Sequence, residues 1–241
     1  MRWTLGILGL LLGLAIAVIL FGRIDHLRQV APATLPDWTE AISDGSGIGS
    51  GRAVVEGPIA LHWRWAGIAA SGPSWQLETS RVGLTAAARA RVPPPFDEVL
   101  FDRATAKADL LELVAPSPLG ALGGTIQLDE GDGALRVADR QLTRLDGKGR
   151  ILGASLDGRP IGNGTFTVTA DVGGSWRLDF EMEGAALRAE GQLSGRIGQA
   201  RATLDLRLVP GPEMPEDWQA SLPMIADRDN DGGWRFRTTL P

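Results

Sequence analysis

The sequence predicts a mainly β protein, an antiparallel meander that is sandwich-like or forms a curved sheet, behind one N-terminal transmembrane helix. The chain begins with a long uncharged segment, most of the remainder alternates apolar with polar residues, and 32 glycines and 15 prolines are dispersed along it. Alternation between Gly- and Pro-containing turns is typical of antiparallel strands. We predict a cytoplasmic start at 1–2, a transmembrane helix at 3–22, a juxtamembrane tether at 23–51 and a β-rich domain at 52–241.

The transmembrane prediction depends on the uncharged residues between Arg2 and Arg23. A helix of this length reaches about 30 Å, the thickness of the hydrocarbon core of a bilayer. The alternative is a secretory signal peptide that is cleaved after the small residues Ala31 and Ala33. A signal peptide has a shorter apolar region of about 7 to 15 residues with its cleavage site close behind. These lengths favour an uncleaved anchor.

The charges that flank this segment nearly balance, because Arg2 and the α-amino group precede it while Arg23, Asp25 and Arg28 follow it. Charge alone therefore does not orient the anchor. Long globular tails translocate largely regardless of charge. This favours a domain on the outer side of the membrane.

Composition excludes several classes of function. The 241-residue chain has a net charge of −5 and no basic run, which argues against a nucleic-acid partner. Cysteine is absent and only two histidines occur, so disulfides and thiolate metal sites are excluded. We expect no cofactor.

Strands alternate along most of the predicted domain. In the first half, Trp63 and Trp65 share one strand face, and the Pro93-Pro94-Pro95 run then marks a subdomain boundary near 93–95 or a long loop within one domain. In the second half, Gly173-Gly174 joins two alternating segments and predicts a hairpin. Further alternating segments follow, and they contain Leu187 to Leu193, Ala202 to Leu208 and Trp234 to Leu240.

Helix is scarce in the same region. Ala104 to Val114 and Glu216 to Ile225 are the two short helices that we predict in the domain, and Asp37 to Ser43 is a further helical possibility in the tether. A sheet with one apolar side must hide that side from water. It closes into a core, packs against a partner, or forms a trough that holds acyl chains. The closed core is the commonest solution.

The strongest local motif is the run from Asp227 to Gly232, which fits the opening of a calcium loop with carboxylates at Asp227, Asp229 and Asp231. The twelfth position is Thr238 where an EF-hand needs a bidentate Glu, and the flanks predict strands. A solvated turn explains the same residues. We therefore predict a turn and keep calcium as a weak alternative.

Two glycine motifs have ordinary explanations. Gly45 to Gly51 alternates Gly with other residues but lacks the Lys and the following helix of a phosphate-binding loop, which favours a flexible linker. Asn163-Gly164 forms a glycosylation sequon with Thr165, yet Asn-Gly next to an alternating segment favours a turn.

We predict no catalytic residue and no enzymatic activity. His26 adjoins the anchor, and His62 lies in an alternating segment without a hydroxyl or carboxylate at a suggestive spacing. Trp63 and Trp65 are the candidate interaction residues, because they share a face and would stack on a ligand. The alternative for both is an ordinary core role.

The layout of the chain resembles a known family. A single membrane span precedes the segment Gly47 to Ala53, the tryptophan-bearing strand Leu61 to Trp65, the segment Pro118 to Gly124 and a glycine-punctuated β-rich tail. Together these features are similar to general secretion pathway protein N, the type II secretion system protein N family. The match covers most of the chain in layout and depends on short motifs.

The resemblance implies a single-pass protein of the bacterial inner membrane with its C-terminal β-rich domain in the periplasm. It implies a non-enzymatic scaffold subunit of type II protein secretion whose partners are other inner-membrane and periplasmic components. It assigns no site residues. The alternative function is an envelope lipid-binding or lipid-transfer module that uses the apolar face of a curved sheet.

Overall fold

Within the described residues, the chain folds as one open antiparallel sheet of thirteen strands. The computed structural model describes residues 23, 42–43, 45–54, 60–69, 71–113, 121–138, 141–196 and 201–240. The strands are β1 (Ser50–Val54), β2 (Ala60–Ala69), β3 (Gly72–Arg81), β4 (Leu84–Arg91), β5 (Glu98–Asp109), β6 (Leu122–Arg136), β7 (Leu142–Leu156), β8 (Arg159–Ala170), β9 (Ser175–Glu183), β10 (Leu187–Arg196), β11 (Ala202–Pro210), β12 (Asp227–Arg228) and β13 (Trp234–Leu240). The helices are α1 (Leu110–Leu113) and α2 (Glu216–Ile225).

Each strand pairs with the next strand of the chain, except that β13 lies between β11 and β12. The prediction of a mainly β, antiparallel meander is therefore confirmed. The sandwich-like alternative is not what forms, because the strands make a single open sheet. The predicted hairpin at Gly173-Gly174 connects β8 to β9, and Gly174 adopts a φ of +74°, which glycine tolerates without strain.

Two local predictions were wrong. Most of the helix predicted from Ala104 to Val114 lies in β5, and only α1 is helical there. Small residues such as Ala106 and Ala108 alternate with Lys107 along β5, so pairing on both sides outweighs the helix propensity of alanine. Asn163-Gly164 lies within β8, and the turn before that strand is formed instead by Asp157-Gly158, both at positive φ.

The helix predicted from Glu216 to Ile225 is confirmed as α2. Its first turn carries Glu216 and Asp217, whose negative charges interact favourably with the positive end of the helix dipole. The Asp217 carboxylate accepts a bond from the Arg159 guanidinium at 2.7 Å, and this ion pair lowers the pKa of Asp217. The contact links α2 to the start of β8.

The proline run forms the connection between β4 and β5. Pro94–Pro95 is a cis peptide bond, and the Phe96 N–H donates to the Pro93 carbonyl at 2.7 Å. Because β4 and β5 pair with each other, the sheet continues across the predicted boundary at 93–95.

The predicted transmembrane helix at 3–22 lies outside the residues that the structure describes. Within the described part, no helix has the length and apolar character needed to cross a membrane.

The buried core is small, and most of it lies near the turn between β7 and β8 and at the start of β10. Leu222 of α2, 4 % exposed, packs there with side chains from β7, β8 and the start of β10. Trp218 packs against the same cluster, so α2 covers this part of the apolar side. The buried members of the cluster are Ile151, Ala154, Ile161, Phe166, Leu187, Met214 and Leu222.

Candidate binding surface

The register of the strands collects apolar side chains on one side of the sheet, which we call the apolar face. Directly opposite residues form a row from β6 to β13 that contains Leu128, Gly149, Phe166, Phe180, Gly191, Leu206 and Phe236. A second row, displaced by two residues, contains Val168, Leu178, Leu193 and Leu204. Side chains alternate between the two faces of a strand, so every member of both rows lies on this one face.

Aromatic rings on this face lean over glycines of the neighbouring strand. A Cβ built on Gly191 would lie 2.6 Å from Cζ of Phe180, and one on Gly195 would lie 2.9 Å from Cζ2 of Trp176. Each glycine is directly opposite its ring. The same arrangement pairs Gly149 with Phe166 and Gly51 with Trp63. Glycine in a strand marks a place where another group approaches closely. Here the rings lie close to the backbone of the neighbouring strand, so they project little from the apolar face.

Most of the apolar face is covered only in part. Leu178, Phe180, Leu206 and Phe236 are half-buried rather than buried. Among the described residues, Ser74 is the largest side chain that is fully buried. Soluble proteins seldom leave contiguous apolar surface uncovered unless it binds another molecule. The apolar face is therefore the candidate binding surface.

The predicted interaction residues Trp63 and Trp65 lie on the apolar face near the β1 edge. The indole N–H of Trp63 donates to the Gly47 carbonyl at 2.9 Å, and that of Trp75 donates to the Ile48 carbonyl at 2.8 Å. Trp65 and Trp75 make an edge-to-face contact with their ring centroids 5.2 Å apart. The tryptophans thus contact the chain's own glycine segment, and their binding to another molecule stays a prediction.

The segment from Gly45 to Gly51, expected as a flexible linker, packs against these rings instead. Ser46 is 5 % exposed, and its hydroxyl accepts the Arg52 N–H at 3.0 Å. The backbone N–H of Trp65 donates to the Gly49 carbonyl. These bonds attach the segment to the first two strands.

The opposite side of the sheet, the polar face, carries ion pairs between neighbouring strands. Arg207 binds Glu190 at 2.9 Å and Asp229 at 2.6 Å, and these bonds raise the pKa of Arg207. Asp205 accepts bonds from Arg235 and Arg237, which lower the pKa of Asp205 strongly. All of these groups except Arg237 line an open cavity of about 810 Å³ on the polar face. Each of these charged groups has at least one partner of opposite charge within the protein.

The Asp-rich motif forms the turn between β12 and β13. The Asp229 carboxylate accepts the N–H groups of Asp231 at 3.0 Å and Gly233 at 2.7 Å in addition to the Arg207 bond. The Arg207 bond and these backbone donors lower the pKa of Asp229. Asp227 lies in β12, opposite Arg235. Within the described residues, no three His, Asp or Glu side chains are arranged to hold a metal ion.

The register places His62 on the polar face with Glu78 directly opposite in β3. The contact between the positions of His62 and Glu78 was not predicted from the sequence, because their separation along the chain does not determine the register between β2 and β3. His62, Glu78 and Ser80 line an open cavity of about 520 Å³.

The glycine–aromatic pairs and the ion-pair clusters around Arg207 and Asp205 were not predicted from the sequence. The available signal was the recurrence of Arg and Asp at alternate positions in the segments that became β11 and β13. Because those positions share a face in two adjacent strands, opposite charges meet across the pair.

Comparison of the chain with protein-family models, with curated proteins and with solved structures finds no match.

Proposed function

We propose that the protein is a non-enzymatic scaffold subunit of a bacterial type II secretion system, anchored in the inner membrane with its β-sheet in the periplasm. The resemblance described above supports the pathway and the location. The observation that carries the binding role is the partly uncovered apolar face, with Leu206 and Phe236 half-buried in its longest row.

The partly covered row makes binding favourable. Burial of apolar surface stabilises a complex by about 25 cal/mol per Å² before the costs of association. Contact with the polar face would contribute less binding free energy, because the arginines and carboxylates there are already bound to one another. The apolar face is therefore where a secretion partner gains most from contact.

The experiment compares Leu206→Glu with a matched control on the polar face, Thr203→Glu, in a secreting strain that lacks the native copy. Both positions lie in β11, and Thr203 is exposed. We expect Leu206→Glu to lower the amount of a pathway-dependent protein in the medium, with Thr203→Glu close to wild type. Circular dichroism checks that both variants fold. Normal secretion after deletion of the whole gene would contradict the pathway.

A second candidate function is the binding of lipid acyl chains by the same face. The observation that favours it is the glycine–aromatic pairing, which gives the face a low profile instead of the interdigitating side chains of a packed second layer. Coverage of part of the face by α2 would leave chains a bounded surface to lie on.

Native mass spectrometry of the full chain extracted from membranes tests the lipid candidate. We expect bound lipid with the wild type and the Thr203→Glu control, and loss of that lipid with Leu206→Glu. Wild-type protein without lipid would contradict this candidate and leave the scaffold proposal to the secretion assay.

A further inference from the structure

β13 forms an edge of the sheet that is covered over only part of its length. On its outer side, β12 pairs with Trp234 and Arg235 alone. Beyond that point, no segment of the described chain pairs with the outer side of residues 236–239. An edge strand with free backbone groups is a template for pairing with another strand.

The hydrogen-bond pattern identifies which backbone groups point outward. The Asp229 N–H donates to the Gly233 carbonyl at 2.9 Å, so this pair of residues is hydrogen-bonded across the turn. Hydrogen-bonded and non-bonded pairs alternate in an antiparallel ladder, which makes Arg235 a hydrogen-bonded partner of β12. By the same alternation, the N–H and C=O groups of Arg237 and Thr239 point toward the open edge, whereas those of Phe236 and Thr238 point toward β11.

The side chains along this edge define the chemistry of a partner. Arg235 and Arg237 lie on the polar face with 58 % and 66 % of their side chains exposed, and both bind the single carboxylate of Asp205. On the outer side, β12 places Asp227 opposite Arg235. In the described chain, no acidic residue lies opposite Arg237 on that side. A strand that continued the line of β12 would favour an acidic residue at this place.

The apolar side of the same edge also continues outward. Phe236 ends the long row of the apolar face and is half-buried. Beside this edge, the last turn of α2 exposes Met224, 84 % exposed, and Ile225, 38 % exposed. Both line an open cavity of about 530 Å³ that they share with Asp227, Arg235 and Arg237. An added strand with apolar residues on either side of its acidic residue would extend the apolar face.

A second copy of this chain fits the edge poorly. Pairing of β13 with β13 brings two rows of arginines together without a row of carboxylates between them. The outer side of β1 is already engaged, because Ile42 bridges Ala53 and the Ser43 N–H donates to the Arg52 carbonyl at 2.8 Å. The outer edge of β13 is therefore better matched to a different protein.

We propose that the outer edge of β13 binds an extended segment of another protein by strand addition, with an Asp or Glu opposite Arg237 and an apolar residue on either side of it. Main-chain bonds to Arg237 and Thr239 give this interaction its affinity, and the acidic residue gives its specificity. The inference extends the proposed scaffold role and depends neither on the secretion pathway nor on lipid.

The test measures fluorescence anisotropy of a labelled peptide, Ser-Thr-Val-Asp-Val-Thr-Ser, on addition of the full chain in detergent. A peptide with Lys in place of Asp is the charge control. We expect saturable binding of the acidic peptide that is about fivefold tighter than that of the lysine peptide, since an exposed ion pair contributes modestly.

Two variants locate the binding site. Thr239→Pro removes an outward N–H and leaves the bonds to β11 intact, so we expect about tenfold weaker binding of the acidic peptide. Arg237→Gln keeps the backbone, and we expect it to abolish the preference for Asp over Lys. Circular dichroism and the unfolding midpoint check that each variant folds.

Three results would overturn the inference. The first is the absence of saturable binding to the wild type, and the second is equal binding by folded Thr239→Pro. The third is a concentration-dependent dimer in light scattering that Thr239→Pro disperses, because a second copy would then occupy the edge. The secretion and lipid assays use variants of Leu206, so failure of the peptide test and failure of the proposed function are separate outcomes.

Discussion

Single glycines determine how closely aromatic rings approach the sheet. At Gly149 an added Cβ would collide with the Gln127 carbonyl as well as with the Phe166 ring. At Gly195 the groups within 3.0 Å all belong to the Trp176 ring. A ring can turn aside, whereas a backbone carbonyl in the middle of the sheet cannot move without loss of pairing. The two positions therefore differ although both are glycines beneath an aromatic side chain.

We predict that Gly149→Ala lowers the free energy of unfolding by about 1–3 kcal/mol, as overpacking does. Gly195→Ala serves as the matched variant, with a smaller loss expected because only a side chain must move. Urea unfolding followed by tryptophan fluorescence measures both. A loss at Gly195 equal to or larger than that at Gly149 would argue against backbone collision as the cause.

The Asp205 carboxylate makes part of the stability dependent on pH. Bonds from Arg235 and then Arg237 lower its pKa in the folded state below the unfolded value of about 3.9. A depressed acid pKa gives stability that is present above the unfolded pKa and is lost as the pH falls toward the folded pKa. The affected window therefore lies below about pH 4.

We predict that Asp205→Asn destabilises the protein at pH 7 and that the difference from the wild type shrinks at pH 3. The asparagine cannot form the ion pairs, while the wild type loses them progressively as the pH falls. Urea unfolding at the two pH values gives the comparison. An identical difference at pH 7 and pH 3 would mean that charge at Asp205 does not stabilise the fold.

Among the described elements, α2 contributes a buried side chain to the cluster on the apolar face. Its Leu222 side chain is 4 % exposed within the core cluster, whereas Met224, two residues later, is 84 % exposed. Two apolar residues of one helix thus lie in opposite environments, and this contrast offers a direct measurement of what coverage by α2 contributes.

We predict that Leu222→Ala lowers the free energy of unfolding by about 2–5 kcal/mol, the usual cost of a cavity at a buried leucine. Met224→Ala, at an exposed site, should change it by less than about 0.5 kcal/mol. Thermal and urea unfolding measure the two variants side by side. Equal effects would show that α2 does not pack on the sheet as described.

The sequence predicted some elements better than others, for physical reasons. Strands such as β9 alternate large apolar residues with charged ones, so the two-residue period of a strand is clear in the sequence. In β4 the residues that alternate are mostly Ala and Arg, so the contrast is weak, and β6 contains bulges near Gly123 and Leu128 that shift the period. The candidate surface depends on register between strands, which no single segment encodes.

At the scale of the whole molecule, the sheet is a chain of neighbour contacts. Each strand pairs with one or two others that are adjacent in sequence or nearly so, and within the described residues no second layer of strands covers the sheet. Proteins built from units that contact only their neighbours have stability that varies along their length. The buried cluster lies around β7, β8 and α2, far from β1 at one edge.

We therefore predict a gradient of amide hydrogen exchange across the sheet. Strands β7 and β8, which pair on both sides and support the buried cluster, should exchange slowest, and β1 should exchange much faster because it opens locally without loss of that cluster. Exchange followed by mass spectrometry of proteolytic fragments measures the order. In Leu222→Ala the protection of β7 and β8 should fall toward that of the edge, while β1 should hardly change. A uniform rate for all strands, falling equally in the variant, would instead mean that the thirteen strands unfold as one cooperative unit.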